Sequence, residues 1–394
     1  MIIDPAQHPI IIIGAGPVGL TLAWKLASAG IPVQVFEAEP NISDQLRAST
    51  FHPPTLDFFQ ASGITDELIA KGRITPTWQI RLHETGERAE FDLSVLSEDT
   101  QHPYRLQCRQ EELSRALLAR LPAGTVHFGQ EVSAVGQEPD HAWVDINGTR
   151  IQGSLVIGCE GARSLTRKAI GAEFEGETYP ENTILVTTHF PFHEVLDGLT
   201  GVNYIWKPGG TYSLLRLPDL WRISLHLKTG QTAQEALEDS AIRAQTREVI
   251  PEAGDLDIVE KRIYRVHRRV ATRYRNKRLF IAGDAAHLNS PKGGMGMNGG
   301  VHDAFNLADA VTEVLNGADS DRLNRYERQR RPIACDEIVA QADANRTRMN
   351  TQDPAARLAY LKELQELAND PEKARTFLRR SSMITGLWRA EAIE

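Results

Sequence analysis

Gly14-Ala15-Gly16-Pro17-Val18-Gly19 stands directly after a wholly apolar run, Ile10–Ile13, and opens a segment of helical periodicity. This spacing suits recognition of a pyrophosphate. Gly14 allows the tight turn, Gly16 lets the backbone approach phosphate, and Gly19 lets helix and strand pack closely. Pro17 belongs to the same turn, and the free amides of the helix N-terminus present partial positive charge to the phosphates. Glu37 lies 18 residues beyond Gly19, at the end of a second apolar run, Val33–Phe36. Its carboxylate can accept hydrogen bonds from a ribose diol, with Ala38 beside it. This set identifies a dinucleotide site without separating NAD from FAD.

A second constellation separates them. Leu279–Ala282 runs into Gly283-Asp284-Ala285-Ala286-His287, followed by Pro291 and then Gly293-Gly294-Met295-Gly296-Met297-Asn298-Gly299-Gly300. A carboxylate fixed at a strand tip, Asp284, suits a polyol hydroxyl. The glycine run lets main chain lie flat against a planar ring, and the helix after it aims its positive end there, which favours an anionic reduced flavin. Gly283, Asp284, Gly294, Gly296, Met297 and Asn298 are therefore expected in an FAD site. A third turn, Gly158-Cys159-Glu160-Gly161-Ala162-Arg163-Ser164, follows another buried run near Leu155–Ile157.

These turns need a scaffold. Val18–Ala29 reads as a helix stopped by Gly30, so the opening is a βαβ unit on a parallel sheet. Gln110–Leu121 reads as a helix, and Val126–Phe128, Val132–Val135 and Ala142–Ile146 as short strands of a meander. Between about 181 and 263 the pattern alternates (Val202–Trp206, Tyr212–Leu217, Trp221–Leu227), which predicts an antiparallel sheet with one ligand-facing side. Leu279–Ala282 restores the buried type, Val301–Leu315 is an amphipathic helix, and the remainder is helical and charged. The fold class is α/β: a Rossmann-like FAD-binding domain (1–75, 102–178 and 272–345) interleaved with a β-sheet substrate domain (76–101 and 179–271), plus C-terminal helices (346–394).

Bulk properties bound the function. At 394 residues and net charge −8, the chain has no electrostatic footprint for nucleic acid or anionic lipid. The three cysteines, Cys108, Cys159 and Cys335, have no paired metal spacing and make no disulfide framework, so no metal site is expected and a cytoplasmic location is. The stretch from Met1 reads as neither signal peptide nor membrane span.

The combined motifs resemble the group A flavoprotein aromatic hydroxylases, similar to the para-hydroxybenzoate and salicylate hydroxylases. The likeness rests on GxGxxG near the start, a central strand followed by an acid and Gly161, and the Gly283-Asp284-Ala285-Ala286-His287…Pro291…Gly294-Met295-Gly296-Met297-Asn298 run; it spans residues 10 to about 335. Where the family has Asp in the central turn, this chain has Glu160. The resemblance implies bound FAD, NADH or NADPH as reductant, dioxygen, and delivery of oxygen to an activated ring of a small aromatic substrate through a flavin hydroperoxide, by a monomer or homodimer. It places Arg47 and Arg109 near the flavin and its pyrophosphate. Tyr326–Pro332 matches a family helix start and reads as a solvated helix face without catalytic role. Larger family members carry a further C-terminal domain; here a helical extension alone is expected.

The base that activates the substrate is not assigned by spacing. Candidates in the inserted sheet are His189, His193, Tyr204, Tyr212, Arg216, His226 and Tyr264, with Tyr204, Tyr212 and Arg216 favoured for their place in alternating strands, and Pro291 as the flavin-side wall of the pocket. A dehydrogenase using the opening motif alone leaves the Asp284 region unexplained. Alternatives on the same fold are hydroxylation of a polycyclic, quinone-pathway or antibiotic substrate, while a non-enzymatic flavin carrier would be yellow without oxidising nicotinamide.

Overall fold

The computed structural model describes residues 3–45, 47–228 and 230–394, so Met1 and Ile2 of the N-terminal stretch lie outside it. The four isoleucines 10–13 are β-branched and wholly apolar, and they occupy a position buried on both faces. Their strand pairs in parallel with Val33–Phe36 on one side and Val156–Gly158 on the other, and Leu279–Ile281 follows in parallel beyond that. Arg275–Asn276 and Val126–His127 close the edges of this six-stranded sheet. Gly14 and Cys159 directly follow neighbouring strands, and Gly283 follows the next one after a single residue, Ala282; all lie at the carboxyl ends where α/β sheets bind ligands. The Val126–His127 strand belongs here rather than to the meander, which consists of Val132–Gln137, Ala142–Ile146 and Thr149–Gly153.

The second sheet has eight strands, in the order His287–Leu288, Glu260–Ala271, Phe174–Thr188, Trp221–His226, Gly210–Arg216, Val202–Lys207, Thr77–Leu82, Arg88–Asp92. It is antiparallel except where Thr77–Leu82 runs parallel to Val202–Lys207. One end is covered by an apolar cluster around Phe192, Leu214 and Ile223 beneath the Asp239–Val249 helix. At the other, Trp78, Phe91 and Trp206 pack against Leu361, Leu364 and Leu378 of the C-terminal helices Pro354–Asn369 and Pro371–Ser381. Because the C-terminal helices complete this cluster, they are part of the second sheet's support.

Two expectations are corrected. The helix of the glycine run begins at Met295 and extends to Leu315, six residues earlier than its amphipathic pattern shows. The glycines inside it serve close packing: a Cβ at Gly299 would lie 2.6 Å from Ile338 Cδ1, and one at Gly300 would press into Val18. The Tyr326–Pro332 run is no solvated face, since Tyr326 and Arg330 are fully buried in the Arg322–Ile333 helix and Tyr326 Oη donates to Ile281 O at 2.7 Å. Among the described residues no helix is long and apolar enough to cross a membrane, and the three cysteines are free.

Candidate functional site

Gly14 has φ +100°, a left-handed conformation that favours glycine, and a Cβ there would lie 2.7 Å from Cys159 O. A Cβ at Gly19 would collide with the Gly14 carbonyl oxygen, so Gly19 closes the turn. A Cβ at Gly16 meets no atom of the described residues within 4 Å, because that position borders open space. Glu37 Oε2 accepts from Ala15 N at 2.7 Å and Oε1 from Glu39 N at 2.9 Å, which anchors the acid beside the turn.

The open space is one continuous cavity of about 750 Å³. It begins at Gly14, Gly16, Pro17, Glu37 and Ala38, passes Arg47, Glu160 and Asp284, and reaches Pro291, Gly294, Gly296 and Met297. Its far wall is the polar face of the eight-stranded sheet, including Thr183, Arg222, His226 and Tyr264. Asp284 opens onto the cavity but is otherwise enclosed by protein, and burial raises its pKa above the ordinary carboxylate value. Glu160 Oε1 accepts from Thr166 N at 2.8 Å, so the longer acid holds the start of the Leu165–Ala169 helix.

A buried network fixes the Asp284 turn. Asp303 Oδ2 receives Gly283 N at 3.1 Å and faces His287 Nε2 at 2.7 Å, while Oδ1 receives Arg330 Nε at 2.7 Å. Burial pushes the Asp303 carboxyl up, but Arg330 and His287 outweigh it and hold the pKa down to about 2. The glycine loop is fixed from the other side by His52, whose Nε2 donates to Gly293 O at 2.8 Å and which burial, with the charge of Arg105, pushes down to about 3. A neutral His52 with its proton on Nε2 meets both facts. Asn298 is fully buried; it accepts from His52 N at 3.0 Å and donates to Thr50 O and Gly294 O, so its side chain ties the loop together away from the cavity surface.

The remaining expected residues divide. Pro291 and Tyr204 line the cavity. Tyr212 reaches its edge, but its ring lies in the apolar cluster and its hydroxyl bonds His83 Nδ1 at 2.9 Å. Arg216 does not line it; the guanidinium sits over Trp221 at 5.6 Å, 3.5 Å from His193. Arg109 is paired with Glu260 at 2.7 Å and Glu111 at 3.1 Å and is likewise absent from the wall. Gly283 supports the wall from behind, against Val18.

Arg222 is the residue the strand pattern should have yielded. In Trp221–His226 the apolar positions Trp221, Ile223 and Leu225 alternate with Arg222, Ser224 and His226, and the second set faces the cavity. Arg222 Nη1 donates to Arg47 O at 3.0 Å, and Nε has no hydrogen-bond partner among the described residues. Beside it, burial pushes the Tyr264 hydroxyl up to about 12 despite the opposing pull of Arg222.

The FAD binding domain family matches residues 7–341. A para-nitrophenol 4-monooxygenase of Pseudomonas sp. (strain WBC-3) is 33% identical over 387 residues, with 94% of each chain covered. A 6-hydroxy-3-succinoylpyridine 3-monooxygenase of Pseudomonas putida (strain DSM 28022 / S16) is 31% identical, covering 95% of this chain and 97% of that one. The crystal structure of a p-nitrophenol 4-monooxygenase from Pseudomonas putida DLL-E4 superimposes with a TM-score of 0.89 at 28% identity, covering 97% and 98% of the two chains.

Proposed function

This chain belongs to the group A flavoprotein aromatic hydroxylases of the FAD binding domain family, and we propose that it hydroxylates a phenol or hydroxypyridine with NADH or NADPH and dioxygen. One observation carries the reading: the cavity of about 750 Å³ runs unbroken from the dinucleotide turn to a polar sheet face. That volume lies in the upper part of the range for small-molecule sites, roughly 300–1,000 Å³. The residues fit FAD. Gly16 borders open space where a side chain would intrude, Asp284 offers an enclosed acceptor for a polyol, and helix N-terminal amides supply charge complementarity.

Gly14, Gly16, Pro17, Gly19, Glu37 and Ala38 would hold the adenosine and pyrophosphate side, with Arg47 along the cavity. Asp284, Gly294, Gly296 and Met297 would hold the flavin side, supported through Gly283 and Asn298; Arg109 acts through its ion pairs. FAD supplies the electron and oxygen-transfer chemistry when bound. The protein orients the aromatic ring, keeps water out and manages the substrate proton.

Arg222 and Tyr264 are placed for that last task. Burial lowers the Arg222 pKa, but a guanidinium starts high enough to remain a cation, so it favours the phenolate over the phenol, and an ionised ring oxygen makes the ring more electron-rich. Tyr264 remains a neutral hydroxyl at physiological pH and can donate to the same oxygen. Pro291 and Tyr204 bound the space for the ring.

The test is a visible spectrum followed by NADH and NADPH oxidation in air across phenols, aromatic acids and hydroxypyridines. Flavin bands, substrate-stimulated oxidation and a product carrying oxygen from labelled dioxygen are expected. A protein that neither contains nor takes up FAD contradicts the cofactor assignment. Flavin with no stimulation by any aromatic ring contradicts the substrate class.

A further inference from the structure

Beyond the main cavity lies a second, of about 200 Å³, separated from it by Tyr204, Met295, Met349 and Lys292, which line both. Its walls are aromatic, with Trp78, Tyr360 and Phe377, yet it is also strongly basic: Arg105, Lys292, Arg348 and Arg380 line it, and among the described residues no Asp or Glu does.

Arg105 sets this cavity apart. It comes from the short Arg105–Gln107 strand, is 2% exposed, and carries its guanidinium 4.9 Å from the centre of the Trp78 ring. Its Nε and Nη1 have no hydrogen-bond partner among the described residues, and Trp78 Nε1 is a further buried donor without one. Burial lowers its pKa, Tyr204 raises it by charge and by a side-chain hydrogen bond to the guanidinium, and no carboxylate among the described residues figures among the groups acting on it. Arg380, by contrast, is satisfied by Glu337 at 3.0 Å, Arg348 lies over Tyr360 at 5.4 Å, and Lys292 donates to Asn350 at 3.2 Å.

A buried guanidinium without a counter-ion is destabilising, and buried charges are ordinarily paired. The uncompensated charge of Arg105 calls for an anion, and the planar donor fork of a guanidinium matches a carboxylate best. Because Arg105 is desolvated by the fold itself, a carboxylate arriving there meets a donor already stripped of water and held in place.

We propose that the second cavity seats a carboxylate carried on a side chain of the aromatic substrate, gripped by Arg105. The substrate class is thereby a phenol or hydroxypyridine with a short acidic tail. The ring occupies the main cavity, and the tail passes the unbranched, flexible side chains of Met295 and Met349. This inference rests on the hydroxylase reading above.

The test is equilibrium binding to the FAD-loaded enzyme without nicotinamide, by calorimetry. Probes are 4-hydroxyphenylacetate, 3-(4-hydroxyphenyl)propanoate and 4-(4-hydroxyphenyl)butanoate, each beside its neutral amide, with propanoate as a ringless control. At least one acid should bind about 10- to 100-fold tighter than its amide, the range of a charge-assisted hydrogen bond. Arg105→Met should bring that ratio near one, and Arg105→Lys should keep part of it. Equal affinities for acids and amides in the unmodified enzyme, or a ratio unchanged in Arg105→Met, overturn the proposal. So does tight binding of propanoate that leaves phenol affinity untouched, which would mark a separate anion site. Flavin content and a melting curve identify a variant that has lost its fold, in which case the unmodified enzyme and Arg105→Lys decide. Neutral phenols that stimulate nicotinamide oxidation while no acid is preferred would leave the hydroxylase standing and the carboxylate seat refuted; no stimulation by any ring would refute the hydroxylase itself.

Discussion

Arg330 Nε and Asp303 Oδ1 lie 2.7 Å apart, and the two side chains expose 1% and 0% of their surface. The other Asp303 oxygen takes His287 and the backbone N–H of Gly283, so the ion pair and the Asp284 turn share one carboxylate. The arginine from the Arg322–Ile333 helix therefore stabilises a loop that opens onto the cavity without touching the cavity itself.

Removing that carboxylate leaves a buried cation with no counter-charge. Asp303→Asn should cost about 3–5 kcal/mol in urea unfolding and weaken FAD retention. Adding Arg330→Met to it should recover part of the loss, because the two effects are coupled. A single-variant cost under about 1 kcal/mol would show that the network does not support the turn.

The glycines of the first turn separate fold from ligand. The methyl of Gly16→Ala meets no atom of the described residues within 4 Å, so the variant should leave the melting temperature within a few degrees while FAD affinity falls. Gly19→Ala drives a methyl into the Gly14 carbonyl and should lose both stability and flavin. The comparison is a melting curve of each apoprotein and a flavin titration; equal FAD affinity in Gly16→Ala and the unmodified enzyme would remove phosphate approach as the reason for that glycine.

The strand-and-turn frame was legible in the sequence because its signals are local: Ile10–Ile13, the glycines and Asp284 each report a backbone requirement at their own position. Facing was not. Tyr212 and Arg216 share a parity in their strand with Leu214, and that parity packs toward the apolar cluster, so the alternation that favoured them does not by itself say which parity faces the cavity; Tyr212 reaches only its edge and Arg216 does not line it. Ser213 and Leu215, one step over, face the cavity. Arg330 read as solvent-facing because nothing near it in sequence announces Asp303, its partner 27 residues away. Arg105 was invisible for the same reason: its environment is assembled from Trp78, Tyr204 and the C-terminal helices.

Stability should fall on mild acidification through His52. Its folded pKa of about 3 lies below the unfolded value near 6.5, so between those values the unfolded chain binds the extra proton. Stability is full above pH 6.5 and declines as pH falls, by about 1.4 kcal/mol per pH unit for this one group. Asp303 acts lower: its folded pKa of about 2 is below the ordinary 3.8, so its contribution is present above that value and lost toward pH 2. Urea unfolding from pH 4.5 to 6.5 should therefore show a slope that His52→Gln reduces by one proton. An unchanged slope would mean that His52 is not held neutral.

Tyr212→Phe removes a hydroxyl whose partner is His83, outside the cavity wall. The expected outcome is a loss of about 1 kcal/mol in stability and less than threefold change in kcat/KM. Tyr264→Phe should instead lower kcat/KM and cost no more stability than its one hydrogen bond with Thr183, since Tyr264 lines the cavity. Reversed results would return the proton-handling role to the strand containing Tyr212.

Arg222 gives the sharpest separation between a binding wall and a chemical role. Its Nη1 is occupied by Arg47 O, which fixes the side chain, and its Nε has no hydrogen-bond partner among the described residues. If that free edge meets the ring oxygen, the cation lowers the substrate hydroxyl pKa, and Arg222→Met removes both a charge-assisted hydrogen bond and the preference for phenolate. A loss of about 1.5–3 kcal/mol, or roughly 10- to 150-fold in kcat/KM, follows from that bond alone. The pH profile distinguishes this from lost packing: the alkaline rise in kcat/KM should move toward the free phenol pKa in Arg222→Met, while Arg222→Lys should lie between the two. A uniform loss at every pH, with the profile unmoved, would make Arg222 a support for the Arg47 loop and leave the ring oxygen to Tyr264.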